Sequence, residues 1–141
     1  IGSDHGGFAL KQDLMRWLDE NGYVYRDYGT YTEDSCDYPV YGAAVARAVA
    51  AGECEKGVII CGTGIGISMA ANKIKGVRAG LAYNVDVARL MREHNDANVM
   101  SLGAKFTTFK EASERLDAFL NAKFLEGRHA IRVQMINNLD K

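Results

Sequence analysis

A short apolar run, Val58-Ile59-Ile60-Cys61, breaks abruptly into Gly62-Thr63-Gly64-Ile65-Gly66 and then into the small-residue stretch Ile67-Ser68-Met69-Ala70-Ala71-Asn72-Lys73. An apolar run that does not alternate reads as a strand buried on both faces, and such strands belong to parallel sheets covered by helices. The glycines read as a tight handover into a helix. A thiol therefore sits where a strand meets a helix N-terminus. Backbone N–H groups converge there, and the helix dipole favours negative charge, on a thiolate or on an oxyanion formed beside it.

The same punctuation recurs along the chain. Residues 1–3 read as the tail of a strand whose beginning is missing. Residues 8–21 carry Phe8, Leu10, Leu14, Trp17 and Leu18 at helical spacing and stop at Asn21-Gly22. Residues 23–27 read as a second strand. Residues 38–51 read as a helix, with the single proline, Pro39, in its first turn. After the strand at 58–61 and a helix over 66–74, residues 77–83 read as a strand. Asn84 or Asp86 caps a helix to about residue 93. Residues 99–102 read as a fifth strand. Residues 108–124 form an amphipathic helix, and Gly127 separates it from a last helix over 128–139. This alternation predicts one α/β domain over residues 1–141, a five-stranded parallel sheet between helix layers.

In such sheets ligands bind beyond the carboxyl ends of the strands. That edge collects Ser3-Asp4-His5-Gly6-Gly7, residues 27–38, Cys61 to Gly66, Tyr83-Asn84 and residues 103–107. The long polar segment 28–38 reads as a binding loop.

Composition removes several function classes. A chain of 141 residues, 48% hydrophobic and 25% charged, fits one globular domain. A net charge of −1 supplies no basic field for nucleic acid or for an anionic membrane surface. No apolar run approaches the roughly 20 residues of a membrane span. Cys36, Cys54 and Cys61 form no Cys-x-x-Cys pair, which fits free thiols in a reducing cytosol. His5, His94 and His129 lie in separate segments, so no metal site is expected.

The glycine loop admits three readings. A phosphate-cradling P-loop needs Lys-Ser/Thr after its last glycine, and Ile67-Ser68 stands there instead. A Gly-x-Gly-x-x-Gly fingerprint needs a third glycine at Ile67 or at Met69, and both registers fail. A turn built only for backbone geometry stays open, opposed by Cys61 directly before it, a candidate base or nucleophile. Asp4-His5-Gly6-Gly7 fits an anion site at a helix start or an N-cap aspartate beside a solvated histidine. His94-Asn95 fits an acid–base group or a plain helix C-cap. Arg128 and Arg132, four apart on one helix face, fit a phosphate or a solvated basic patch.

Taken together, Asp4-His5-x-Gly7-Phe8-x-Leu10-Lys11, Asp37-Tyr38-Pro39, Cys61-Gly62-Thr63-Gly64-Ile65-Gly66, Ala71-Asn72-Lys73, His94-Asn95-x-x-Asn98 and Gly127-Arg128-His129-x-x-Arg132 resemble the type B ribose-5-phosphate isomerases. That family includes the galactose- and allose-6-phosphate isomerases, and the resemblance spans essentially the whole chain. It implies a three-layer α/β/α sandwich with a Rossmann-like sheet. It also implies a cofactor-free aldose–ketose isomerase acting on a sugar phosphate through a cis-enediolate. By resemblance, Cys61 moves the proton between carbons 2 and 1, and the amides of Gly62, Gly64, Ile65 and Gly66 hold the enediolate oxygen. His94, helped by Asp4, opens the furanose ring. Thr63 and Asn95 bind sugar oxygens, and Tyr38 lines the pocket. His5, Lys105, Arg128 and Arg132 bind the phosphate, some across a subunit interface. The family's members are homodimers or tetramers with shared sites, so the helix over 128–139 is expected to serve a partner's site. Many members have arginine at the Lys105 position. Lysine keeps the charge and loses the bidentate fork. Some members use glutamate as the base, and Cys61 places this chain with those that use cysteine.

The expected activity is interconversion of ribose 5-phosphate and ribulose 5-phosphate in the cytoplasm, without metal, nucleic acid or membrane. The rivals are the same chemistry on allose or galactose 6-phosphate, and a non-catalytic module binding a sugar phosphate or a nucleotide.

Overall fold

The computed structural model describes residues 1–140. Four strands form one parallel sheet: β1 (Gly2–Ser3), β2 (Gly57–Cys61), β3 (Ala79–Leu81) and β4 (Val99–Gly103), in the order β1-β2-β4-β3. The α-helices among the described residues are α1 (Phe8–Glu20), α2 (Tyr38–Ala50), α3 (Ile65–Asn72), α4 (Val85–Glu93), α5 (Phe109–Asn121) and α6 (Arg128–Asn137).

The alternation of side chains on β2 divides the core in two. Val58 and Ile60 pack with Leu10, Leu14 and Leu18 of α1, Met91 of α4 and Leu116 and Phe119 of α5. Ile59 and Cys61 face the other way, onto Val45 and Val49 of α2 and Ile67 and Ala71 of α3. The fold is therefore the α/β/α sandwich anticipated from the sequence. Leu14, Ile59, Ile60, Ile67, Met100, Leu102, Leu116 and Phe119 are fully enclosed, and each contributes roughly 1.5–3 kcal/mol by leaving water.

The sheet has four strands, not five. The missing one is residues 23–27, which take no strand conformation, with Val24 fully exposed. Pairing on that edge occurs further along the chain. Tyr28 N–H donates to the Ile1 carbonyl at 2.9 Å, Ser3 N–H to Gly29 at 2.7 Å and Thr30 N–H to Ser3 at 2.7 Å. β1 offers only two residues to pair with, and Gly29 turns away with φ +90°, so no regular ladder forms. The connections after β1 and β2 leave in opposite directions across the sheet. Their carboxyl ends therefore diverge, opening the crevice where such sheets bind ligands.

Lys11 is buried completely and reaches Asp27 at 2.6 Å, with the rings of Phe8 and Tyr31 about its ammonium at 5.5 and 5.6 Å. Asp27 also accepts from Gly29 N–H at 2.8 Å, so this ion pair ties α1 to the edge segment. Among the described residues no helix is long and apolar enough to cross a membrane. Nor is there among them a group of three or more His, Cys, Asp or Glu side chains that could hold a metal ion.

Candidate active site

Cys61 ends β2 opposite Gly103 of β4, and α3 begins four residues later. Between them Gly64 adopts φ +76°, a left-handed turn that a side chain would block. A Cβ at Gly64 would lie 2.6 Å from Leu81 and 2.8 Å from the Leu102 backbone. In this turn Gly64 N–H donates to Cys61 Sγ at 3.2 Å. The buried Ser101 hydroxyl donates to the Gly64 carbonyl at 2.6 Å, so β4 pins the turn from below. Thr63 Oγ1 accepts from Ile65 N–H at 3.2 Å. Two of the amides expected to face an enediolate are thus already engaged inside the loop, one of them by the sulfur.

A cavity of about 420 Å³ opens over this turn, lined by Asp4, His5, Gly6, Tyr38, Cys61, Gly62, Thr63, Ile65, Gly66 and Lys105. Asp4 caps the 3-10 turn His5–Gly7, its carboxylate accepting from Gly7 N–H at 3.1 Å. His5 Nδ1 accepts the backbone N–H of Cys36 at 3.1 Å, which joins the long loop to the cavity wall. Lys105 N–H donates to the Gly62 carbonyl at 2.9 Å, and the Lys105 side chain folds over Gly62. Tyr38 lies across the start of α3. A Cβ at Gly66 would come within 2.5–2.7 Å of its phenol, so only glycine admits the ring there.

His94, Asn95, Arg128 and Arg132 are not part of this cavity. β3 runs parallel to β2 and β4, and α4 returns to the edge where those strands begin. His94 caps the far end of α4, at the edge opposite Cys61. There Leu125 N–H donates to the Glu93 carbonyl at 3.0 Å, bringing α6 alongside. The rings of His94 and His129 stack, with centroids 4.3 Å apart and planes 13° apart. Desolvation, then repulsion from His94, Arg128 and Arg132, holds His129 below the usual histidine range. Asn95 lines a second cavity of about 500 Å³ with Asn72, Arg78 and Ile136. One chain thus carries the expected site residues in two clusters on opposite edges of its sheet, one around Cys61 and one around the histidine pair.

Two motif asparagines turn out to be backbone clamps. Asn72 brackets Ala79, accepting from its N–H at 2.8 Å and donating to its carbonyl at 3.0 Å. Asn98 accepts from Arg78 N–H at 2.8 Å and donates to the Gly76 carbonyl at 2.9 Å. No sequence motif assigned a role to Ser101, to the Cys36 amide or to the stack of His129 on His94. Ser101 carried one signal, a lone hydroxyl in an otherwise apolar strand.

The Ribose/Galactose Isomerase family model matches residues 1–136. Ribose-5-phosphate isomerase B of Escherichia coli is 43% identical over 141 residues, covering 100% of this chain and 95% of that protein. The solved structure of Clostridium thermocellum ribose-5-phosphate isomerase B superposes with a TM-score of 0.97 at 48% identity, covering 99% of this chain and 94% of that one. The structure of ribose-5-phosphate isomerase B from Mycoplasma genitalium with bound ribulose-5-phosphate superposes with a TM-score of 0.93 at 39% identity, covering 98% and 92%.

Proposed function

Since the chain belongs to the ribose/galactose isomerase family, we propose that it interconverts ribose 5-phosphate and ribulose 5-phosphate, with Cys61 as the base. The observation that carries this reading is the Cys61 sulfur, at a strand–helix junction with an amide 3.2 Å away, in a cavity that also holds His5 and Lys105. The cysteine takes the proton from carbon 2 of the open-chain sugar and returns it to carbon 1. The negative charge that develops on the intervening oxygens meets the amides at the start of α3. One preorganised donor of this kind lowers a barrier by roughly 3 kcal/mol. Lys105 and His5 hold the phosphate, and that binding fixes the reacting carbons against the sulfur.

Ring opening needs an acid–base group beside the sugar, and Asp4 is the carboxylate within the cavity. We assign the partner group to His94 of a second copy, with Asn95, Arg128 and Arg132 of that copy closing over the sugar and its phosphate. Two facts support this division. The His94 cluster lies at the wrong edge of its own sheet, and α6 exposes Ile131, Met135 and Ile136 with only Val133 buried. A closed pair in which each subunit completes the other's site satisfies both. The same reading makes residues 1–141 one catalytic domain. It also places the protein in the cytoplasm, where its three free cysteines stay reduced.

The test compares ribose 5-phosphate, allose 6-phosphate and galactose 6-phosphate on one preparation, with wild type and Cys61→Ala. Conversion of the pentose by wild type and its loss in the variant are expected. Equal rates in the two proteins remove Cys61 as the base. Faster turnover of a hexose phosphate reassigns the substrate, and no turnover of any sugar favours a binding module.

A further inference from the structure

We infer that the backbone amide of Cys36 locks His5 as the neutral tautomer protonated on Nε2, which makes His5 a hydrogen-bond donor and not a proton acceptor toward any molecule in the Cys61 cavity. A backbone N–H can only donate. The ring nitrogen that receives it, Nδ1 at 3.1 Å, must present its lone pair. A neutral imidazole has one donor and one acceptor nitrogen, so its single proton is on Nε2. The Cys36 sulfur lies 3.9 Å from the same nitrogen, a weaker contact that the amide outranks. Because Nδ1 is occupied, any contact between the ring nitrogens and a bound molecule uses Nε2–H. That donor fits an oxygen, of a phosphate or of a sugar, and rejects another N–H. It adds no charge of its own, so the cationic grip in this cavity comes from Lys105.

The lock also gives the long loop a task. Residues 31–35 are exposed, and Cys36 is only partly covered. Yet this stretch carries the amide that orients a cavity residue lying 31 positions earlier in the chain. A second ring proton would set N–H against N–H and release the loop. Cys36 therefore acts as a positioning residue through its backbone, and the identity of its side chain is secondary.

The tautomer stands independently of the activity, whereas its effect on turnover rests on the isomerase reading. A long-range proton–nitrogen correlation spectrum of histidine-labelled, ligand-free protein reads the tautomer directly, with His5 assigned through His5→Gln. An unprotonated Nδ1 and a protonated Nε2 are expected. A proton on Nδ1, or signals averaged between the two forms, overturns the proposal. Cys36→Pro deletes the N–H, and Cys36→Ala keeps it. The proline variant should lose the tautomer signature and raise KM for ribose 5-phosphate about fivefold above the alanine variant, the worth of one hydrogen bond. Matching spectra and matching KM values in the two variants also overturn it. If the proline variant does not fold, the wild-type spectrum decides. If wild type converts no ribose 5-phosphate, the functional reading falls and the spectrum still decides the tautomer.

Discussion

Gly64 gives its backbone N–H to the sulfur of Cys61 at 3.2 Å, and the carbonyl of the same glycine accepts from the Ser101 hydroxyl at 2.6 Å. The residue is gripped at both ends, by the sulfur above and by a neighbouring strand below. Ser101→Ala removes the lower grip and leaves a buried carbonyl without this partner. The expected cost is about 1–2 kcal/mol of stability, together with a fall of a few-fold in kcat at little-changed KM. Urea unfolding and steady-state kinetics on one preparation check both. Unchanged stability and unchanged kcat mean that the turn holds itself.

Gly66 is the place where a single methyl should matter most. Its Cβ would meet the Tyr38 phenol at 2.5–2.7 Å. Gly66→Ala must therefore push the ring off the start of α3. The variant should keep its melting temperature within a few degrees, because Tyr38 is already 39% exposed, while kcat/KM falls at least about tenfold from misplaced substrate. A crystal structure of the variant with Tyr38 unmoved would contradict this.

The buried ammonium of Lys11 separates two kinds of substitution. Lys11→Ala removes the counter-charge of Asp27 and opens a void, at an expected cost of about 3–5 kcal/mol. Lys11→Met removes the same counter-charge but fills the void, so it should cost less than Lys11→Ala by the packing share alone, about 1–2 kcal/mol, with Asp27 keeping only its Gly29 bond. Equal losses in the two variants would show that the charge, and not the packing, holds the edge segment against β1.

His129 sets the sign of one pH effect. Its folded-state affinity for a proton lies below the ordinary value because of desolvation and then His94, Arg128 and Arg132. Above an unfolded value of about 6.5 both states are neutral at this ring and nothing is lost. As pH falls through that value the unfolded chain takes up the proton first, so stability declines with acidification. His129→Gln should flatten this decline in melting curves recorded between pH 8 and pH 5.5. A wild-type curve no steeper than the variant's would remove His129 as the cause.

Sharing of sites between subunits has an arithmetic signature. Cys61→Ala and His94→Gln should each be nearly inactive alone. Mixed after unfolding and refolding together, random pairing restores one intact site in each mixed dimer, or about one quarter of all sites. Absence of recovery in a refolded mixture that is dimeric by light scattering would place both residues in the same site of one chain.

The sequence carried the sandwich because its signals were local. Val58 to Cys61 is apolar throughout, and α1 keeps Leu10, Leu14 and Leu18 on one face. The strand assigned to residues 23–27 failed for a non-local reason. Strand character there depends on what β1 offers across the gap, and β1 offers two residues, paired instead with the backbone around Gly29. The Cys61 cavity was legible because Asp4-His5, Cys61 to Gly66 and Lys105 all follow strand ends. The placement of His94 was not, because a residue that ends the helix after a strand lies at the other edge, away from the strand-end motifs. Lys11 did leave a trace, a charge three residues from both Phe8 and Leu14 on the buried face of α1.

Helix α4 joins the edge that bears Cys61 to the edge that bears His94, and its nine residues measure about 14 Å. It behaves as a strut of set length and set phase. One residue inserted in it turns everything beyond by about 100° and lengthens it by about 1.5 Å. His94 would then rotate away from His129 while every core contact before the insertion stayed in place. A whole added turn would restore the phase, but its rise of about 5.4 Å would still carry His94 past the ring it stacks on.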